Sequence, residues 1–219
     1  MNQEYNEYLE QLIIDGPPWE KRETVGFFQT LKITIIEFFR NPARVFAVMR
    51  RSGDMSSALQ YAVFLQIMAT VISLAISAAI SGNTQLIPPW MNDLLGGGYD
   101  WGTIFLISMP VMVILEQYFK AFFLNLALGM LGQAHYPFDT VFRITAYSNG
   151  TAAPWMILPS IGGFIYIGYS FYLMLVGFRT IYGLRGGQFF LAIVLATFLG
   201  FLSLLLISVV LAFFIPAPV

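Results

Sequence analysis

The chain has 219 residues, of which 58% are hydrophobic, 16% aromatic and only 11% charged, and its formal net charge is −1. A soluble domain carries about 25% charged residues and about 45–50% apolar ones, so this chain has too little polar surface to remain in water. The composition indicates a membrane protein and excludes disulfide-rich secreted scaffolds, disordered chains and basic nucleic-acid binders. The sequence contains no cysteine, which also excludes thiolate metal sites.

The charged residues divide the chain into two regions. Residues 1–57 hold 15 of the 23 Lys, Arg, Asp and Glu residues, and the other 162 positions hold eight. We therefore predict a polar cytosolic segment at 1–57 and a membrane domain at 58–219. The first 15 residues are acidic, and we expect this arm to meet a soluble protein partner.

Five stretches are candidates for transmembrane helices, because a span needs about 20 mainly apolar residues and the backbone in lipid must be helical. They are 58–80, 103–131, 141–158, 160–182 and 189–214. The third is the weakest, since polar residues interrupt it and Pro154 lies within it. The sequence thus predicts an all-α integral membrane protein with five transmembrane helices.

Lysine and arginine predict the orientation, because cytosolic loops carry an excess of them. Seven lie in 1–57, Arg143 follows the second span, and Arg179 and Arg185 flank the turn between the last two spans, whereas 81–102 and 215–219 contain none. Five spans with the N-terminus in the cytosol and the C-terminus outside satisfy every loop. A four-span alternative without 141–158 places Arg179 and Arg185 outside, contrary to this rule, and we therefore reject it.

The segment before the first span reads as an interfacial amphipathic element. Its apolar residues recur at helical spacing: Phe27, Phe28, Leu31, Ile35, Phe38 and Phe39. Asn41-Pro42 predicts a helix restart, and the second, short helix should stop near Gly53. Arg40, Arg44, Arg50 and Arg51 are candidate contacts for anionic headgroups of the bilayer. Packing of the phenylalanines onto the inner ends of the spans is an equal and compatible alternative.

Two groups of polar residues within the predicted spans are candidates for function. Glu116 and Lys120 stand four apart on one helix face and form either a structural ion pair or part of a transport or ligand site. The polar run from 147 to 151 predicts either a tolerated kink or a binding site in a broken helix. The candidate functional or interhelical polar residues are Glu116, Lys120, Arg143, Tyr147, Ser148 and Asn149.

Small residues recur every four positions along the first span, at Ala69, Ser73, Ser77 and Ser81. Such spacing allows helices to approach closely. It serves either packing within the chain or contact between copies in a homo-oligomer.

Enzyme chemistry has little basis in the sequence. His135 is the single histidine, and there is no nucleophile-elbow motif, no histidine cluster and no phosphate-binding loop. We expect a non-enzymatic protein without cofactor, metal or catalytic residue.

Two stretches resemble prokaryotic members of the Yip family, named for the Ypt/Rab-interacting proteins of eukaryotes. They are Pro18-Trp19-Glu20 with Gly26-Phe27-Phe28, Thr30, Pro42, Phe46 and Gly53, and Phe142-Arg143-Ile144-Thr145-Ala146-Tyr147-Ser148 with Pro154, Pro159, Gly162 and 172–177. The resemblance implies five membrane helices and a cytosolic N-terminus. Eukaryotic relatives act as membrane adaptors in vesicle traffic, without catalysis. Asn149, Gly150 and Thr151 depart from a simple pattern by adding polar groups before Pro154.

Together these observations predict a multi-pass scaffold or adaptor in a prokaryotic cytoplasmic membrane, with a membrane or cytosolic protein as partner. The alternative is a transporter, channel or lipid-handling protein that uses Glu116, Lys120 and the polar break at 148–151. The position of Glu116 separates the two hypotheses: a hydrated cavity favours transport, whereas burial against Lys120 or Arg143 favours a scaffold.

Overall fold

A computed structural model describes residues 16–81 and 101–214, without the side chains of 81, 101 and 209–214. All regular secondary structure in these two ranges is helical. The described residues form eight α-helices: α1 (Arg22–Val25), α2 (Phe27–Arg40), α3 (Pro42–Val48), α4 (Ser56–Ser81), α5 (Trp101–Met130), α6 (Phe138–Ala152), α7 (Gly162–Tyr182) and α8 (Gly186–Phe214). Two 3-10 helices, Pro18–Lys21 and Ala153–Ile157, precede α1 and follow α6. The acidic arm 1–15, the loop residues 82–100 and the tail 215–219 lie outside the described residues.

Within the part of the chain that the structure describes, four helices are long and apolar enough to cross a membrane: α4, α5, α7 and α8. Their bounds agree within three residues with four of the stretches predicted from the sequence, 58–80, 103–131, 160–182 and 189–214. Large apolar side chains stand exposed along them, such as Ile107 at 74% and Phe201 at 62%. Exposed apolar surface on this scale needs lipid around it, so the chain is a helical membrane protein.

The fifth predicted stretch, 141–158, differs from the others. Its α-helix, α6, has 15 residues and passes into the 3-10 helix Ala153–Ile157 at the position of Pro154. Every residue from 140 to 152 is buried, and α6 packs against α4, α5 and α7. The low hydropathy of this stretch follows from its position, because a helix surrounded by protein does not need an apolar surface toward lipid.

Two glycines allow α6 to pack closely against its neighbours, one on α6 itself and one on α7. A Cβ atom on Gly150 would lie 2.7 Å from the ring of Tyr61 on α4 and 3.0 Å from the Cα of Ala62. A Cβ on Gly177 of α7 would lie 2.8 Å from Ile144 on α6. The bundle core is therefore centred on α6, with α4 and α7 pressed against it.

The N-terminal segment packs onto this bundle through α2 and α3. Phe38 and Phe46 are fully buried, and the Phe38 ring stacks on Tyr147 of α6 with centroids 5.7 Å apart. The predicted restart is confirmed, since the Asn41 side chain accepts the backbone N–H of Arg44 at 3.1 Å at the start of α3. Phe28, however, is 78% exposed. The apolar residues of α2 are therefore only partly covered by the bundle.

Candidate functional site

Arg143 lies at the centre of a buried polar cluster that joins α6 to the N-terminal segment. One of its terminal nitrogens donates to the Glu20 carboxylate and the other donates to the Arg50 carbonyl at 3.0 Å. The Tyr147 hydroxyl, one turn further along α6, donates to the same Glu20 oxygen at 3.0 Å. The side chains of Arg143 and Glu20 are only 2% and 10% exposed. We call the side chains of Glu20, Arg143 and Tyr147 the clamp.

Trp19, the residue before Glu20, holds this member of the clamp in position. Its side chain is 1% exposed, and the indole N–H donates to the Ser57 carbonyl at 2.7 Å at the start of α4. Its backbone N–H donates to the Thr34 hydroxyl on α2 at 2.8 Å, and its ring lies 5.7 Å from that of Tyr61. A buried indole that is fully hydrogen-bonded holds the chain in one position, so Glu20 is presented to Arg143 by a rigid turn.

A second polar cluster crosses the middle of the bundle. The Asn149 amide donates to Gln117 on α5 at 2.9 Å, and its carbonyl oxygen accepts the hydroxyl of Ser170 on α7 at 2.5 Å. The Gln117 amide nitrogen and the Ser148 hydroxyl are buried without a hydrogen-bond partner among the described residues. Asn149 of α6 is therefore hydrogen-bonded to both α5 and α7.

Glu116 and Lys120 form the ion pair that their spacing predicts on α5. Their side chains are 42% and 39% exposed, and neither contacts Arg143, which has Glu20 as its partner. Both line a cavity of about 510 Å³ between α5, α7 and α8, whose other polar side chains include Asn149, Ser170 and Tyr166. We call it the α5–α7–α8 cavity. Most of its lining is aromatic or aliphatic: Phe119, Phe123, Leu124, Ile167, Phe171, Met174, Ile193, Ala196, Phe201 and Leu204.

The four candidate headgroup arginines are all exposed, but they differ in their surroundings. The Arg51 side chain donates to the Tyr136 hydroxyl at 3.1 Å and lies over its ring, while its carbonyl accepts the Thr140 hydroxyl. Arg50 contributes its carbonyl to Arg143. Arg44 lies on α3, and Arg40 at the end of α2 lines a separate cleft beside α7.

Sequence reasoning missed three members of these clusters: Glu20, Gln117 and Ser170. Glu20 stands 123 residues from Arg143, and no spacing rule relates them. The signal that was present is the Pro18-Trp19-Glu20 stretch itself, which carries part of the Yip resemblance and places an acid beside a tryptophan in a short turn.

The described residues, 16–81 and 101–214, contain no group of three His, Cys, Asp or Glu side chains placed to hold a metal ion. The polar clusters are instead made of amides, hydroxyls and paired charges. Such groups can hold helices together or bind a polar ligand group.

The fold and these clusters define a helical membrane protein with a docked N-terminal segment. No family model, curated protein or solved structure matches the chain. The resemblance to the Yip family therefore remains a prediction from the residues quoted above.

Proposed function

We propose that the protein is a non-enzymatic membrane scaffold or adaptor of the Yip type, with a cytosolic N-terminal segment that presents a fixed surface to a partner. The observation that supports this proposal is the clamp, through which Glu20 of the segment reaches a fully buried arginine of the bundle. A docking platform needs such a rigid attachment, since binding then costs little ordering of the chain.

The same contact also connects the two stretches that resemble the Yip family. These stretches, around Trp19-Glu20 and around Arg143 to Tyr147, meet at the clamp. The residues that carry the resemblance therefore attach the N-terminal segment to the bundle. A structural role of this kind is consistent with an adaptor that has no catalytic residues.

Five crossings, with the N-terminus in the cytosol of a prokaryote, are part of this proposal. Together α6 and its 3-10 extension are about 32 Å long, close to the roughly 30 Å hydrocarbon core. Neighbouring helices cover the polar side chains of α6, and irregular or polar segments are tolerated at membrane depth where protein surrounds them. This count also keeps Arg179 and Arg185 on the cytosolic side.

Affinity purification in mild detergent tests the adaptor role. The full chain should retain a stoichiometric protein partner, and deletion of residues 1–15 should release it. Substitution of Glu23 by Gln is the matched control, because Glu23 is an exposed acid on α1 outside the arm and its loss should leave the complex intact. A monodisperse protein that carries no partner, with or without 1–15, would overturn the proposal.

The α5–α7–α8 cavity favours a second candidate, a transporter, channel or lipid-handling protein. In that case Glu116 and Lys120 contact the moving species. Reconstituted vesicles should then show ion, solute or lipid movement that Glu116→Gln abolishes and Glu23→Gln leaves unchanged. Movement equal to that of empty vesicles for each species assayed would remove this candidate and leave Glu116–Lys120 as a structural pair.

A further inference from the structure

A cleft of about 600 Å³ lies between the end of α2, the start of α3 and the second half of α7. We call it the arginine cleft. Its lining residues are Arg40, Asn41, Pro42, Ala43, Tyr172, Val176, Arg179 and Thr180. Two arginines from different helices thus line one concave surface, and none of the described residues that line it is acidic.

The two arginines have no compensating charge within the described part of the chain. Neither Arg40 nor Arg179 forms an ion pair there, and both are exposed. Glu37 lies one turn before Arg40 on α2, but it is 7% exposed and does not line the cleft. A cleft of one charge sign concentrates the field and attracts counter-ions, so this surface is suited to an anion.

The remainder of the lining selects the kind of anion. Tyr172, which is 48% exposed, and Val176 continue the cleft along α7 as an apolar wall. Tyrosine side chains prefer the headgroup level of a bilayer, where one end is apolar and the other wet. A cleft with a charged end next to an apolar wall is complementary to an amphiphilic ligand. The phosphate of such a ligand would contact the arginines, and its acyl chain would lie along α7.

We propose that the arginine cleft binds one anionic phospholipid, with the headgroup phosphate held by Arg40 and Arg179. Guanidinium groups bind phosphate oxygens in a bidentate manner, and basic pockets between membrane helices are suited to anionic headgroups. The site adds Arg179, Tyr172 and Val176 to the interfacial arginines expected from the sequence. It is independent of both proposed functions, and only its assignment to the cytosolic leaflet rests on the proposed topology.

Native mass spectrometry of the full chain in detergent tests this site. The protein is titrated with phosphatidylglycerol and, separately, with phosphatidylcholine of identical acyl chains. One phosphatidylglycerol should bind preferentially. The double variant Arg40→Gln/Arg179→Gln should weaken that binding by roughly 30-fold, since each basic residue near an anionic surface contributes about fivefold, and each single variant should show part of the loss.

Arg185→Gln is the matched control, because it removes the same charge from an exposed arginine that lies outside the cleft. It should leave the preference intact. Equal weakening by Arg185→Gln would mean general charge attraction and would overturn the proposal, as would equal binding of the two lipids by the unaltered chain. Glycerol phosphate at the same concentration should not displace the lipid, and displacement would assign the cleft to a soluble phosphate instead.

Discussion

At the scale of single residues, Arg143 is the most deeply buried charged side chain in the described structure, at 2% exposure. A charge this deeply buried must be paired, and removal of one partner leaves the other uncompensated at a cost of about 3–5 kcal/mol. We therefore predict that Arg143→Met and Glu20→Met each lower the unfolding temperature in detergent substantially. The Arg143→Met/Glu20→Met double variant should lie closer to the unaltered chain than either single variant, because it removes both charges together.

Circular dichroism melts of the four proteins in one detergent provide the measurement. Arg185→Gln, which removes an exposed arginine, should melt within error of the unaltered chain and so calibrates a surface charge. Additive losses in the double variant would show that Glu20 and Arg143 do not depend on each other, contrary to the clamp.

Asp54 offers a smaller effect with a defined pH dependence. It precedes α4 and accepts the backbone N–H of Ser56 at 2.8 Å and the Ser56 hydroxyl at 2.5 Å. These hydrogen bonds hold the pKa of the Asp54 carboxyl below its ordinary value. The folded chain therefore binds a proton at Asp54 less readily than the unfolded chain. The ionised carboxylate stabilises the fold above its ordinary pKa of about 3.9, and this stabilisation is lost as the pH falls through the lowered pKa of the folded chain.

Asp54→Ala should accordingly lower the melting temperature slightly at neutral pH, by less than about 1 kcal/mol in free energy because the carboxylate is exposed. The difference between variant and unaltered chain should shrink as the pH falls below about 4. A difference that stays constant from pH 7 to acid conditions would show that the charge of Asp54 contributes nothing.

At the scale of helices, the contact between α4 and α6 depends on Gly150. A methyl group there would lie 2.7 Å from the Tyr61 ring and 3.0 Å from the Cα of Ala62. The Ala62 Cα belongs to the backbone of α4, so it cannot relieve the contact by a change of rotamer. Gly150→Ala should destabilise the bundle by about 1–3 kcal/mol through overpacking. Gly168→Ala on α7 is the control, since a methyl group at that position would have no neighbour within 4 Å, and it should be neutral or slightly stabilising. Equal melting of the two variants would contradict the close α4–α6 packing.

The same helices show what the sequence can and cannot predict. Four spans, the amphipathic α2 and the Asn41-Pro42 restart follow from local signals, namely apolar length, helical period and capping chemistry. The contacts of α6 do not follow from local signals, because a polar run such as 147–151 is compatible both with a kinked span and with a ligand site. Asn149 meets Gln117 and Ser170, and Thr151 meets Tyr61 at 3.0 Å, only because three other helices arrive there.

The candidate sites divide in the same way. The Glu116–Lys120 pair is local, so its i,i+4 spacing was sufficient to predict it. The clamp and the arginine cleft join residues far apart in sequence, such as Arg40 and Arg179, and their formation depends on how the N-terminal segment docks. Charge counts along the chain carry no information about that docking.

At the scale of the whole molecule, the number of crossings decides which surfaces a partner or a lipid meets. The chain has no cysteine, so single cysteines introduced at exposed positions report topology without background. Ser52 precedes α4, Ser160 lies between α6 and α7, and Gly187 stands at the start of α8; all three are exposed. With five crossings, a membrane-impermeant maleimide added to intact cells should label Ser160→Cys, whereas Ser52→Cys and Gly187→Cys should require permeabilised cells.

The four-crossing alternative predicts the reverse for two of these positions, because α6 then stays on the cytosolic side and α7 leads outward. Gly187→Cys would be labelled in intact cells and Ser160→Cys would not, while Ser52→Cys would stay protected in both cases and so serves as the internal reference. The four-crossing result would place Arg179 outside, away from the anionic cytosolic leaflet. We expect five crossings because they keep Arg179 and Arg185 inside and because protein encloses the polar residues of α6.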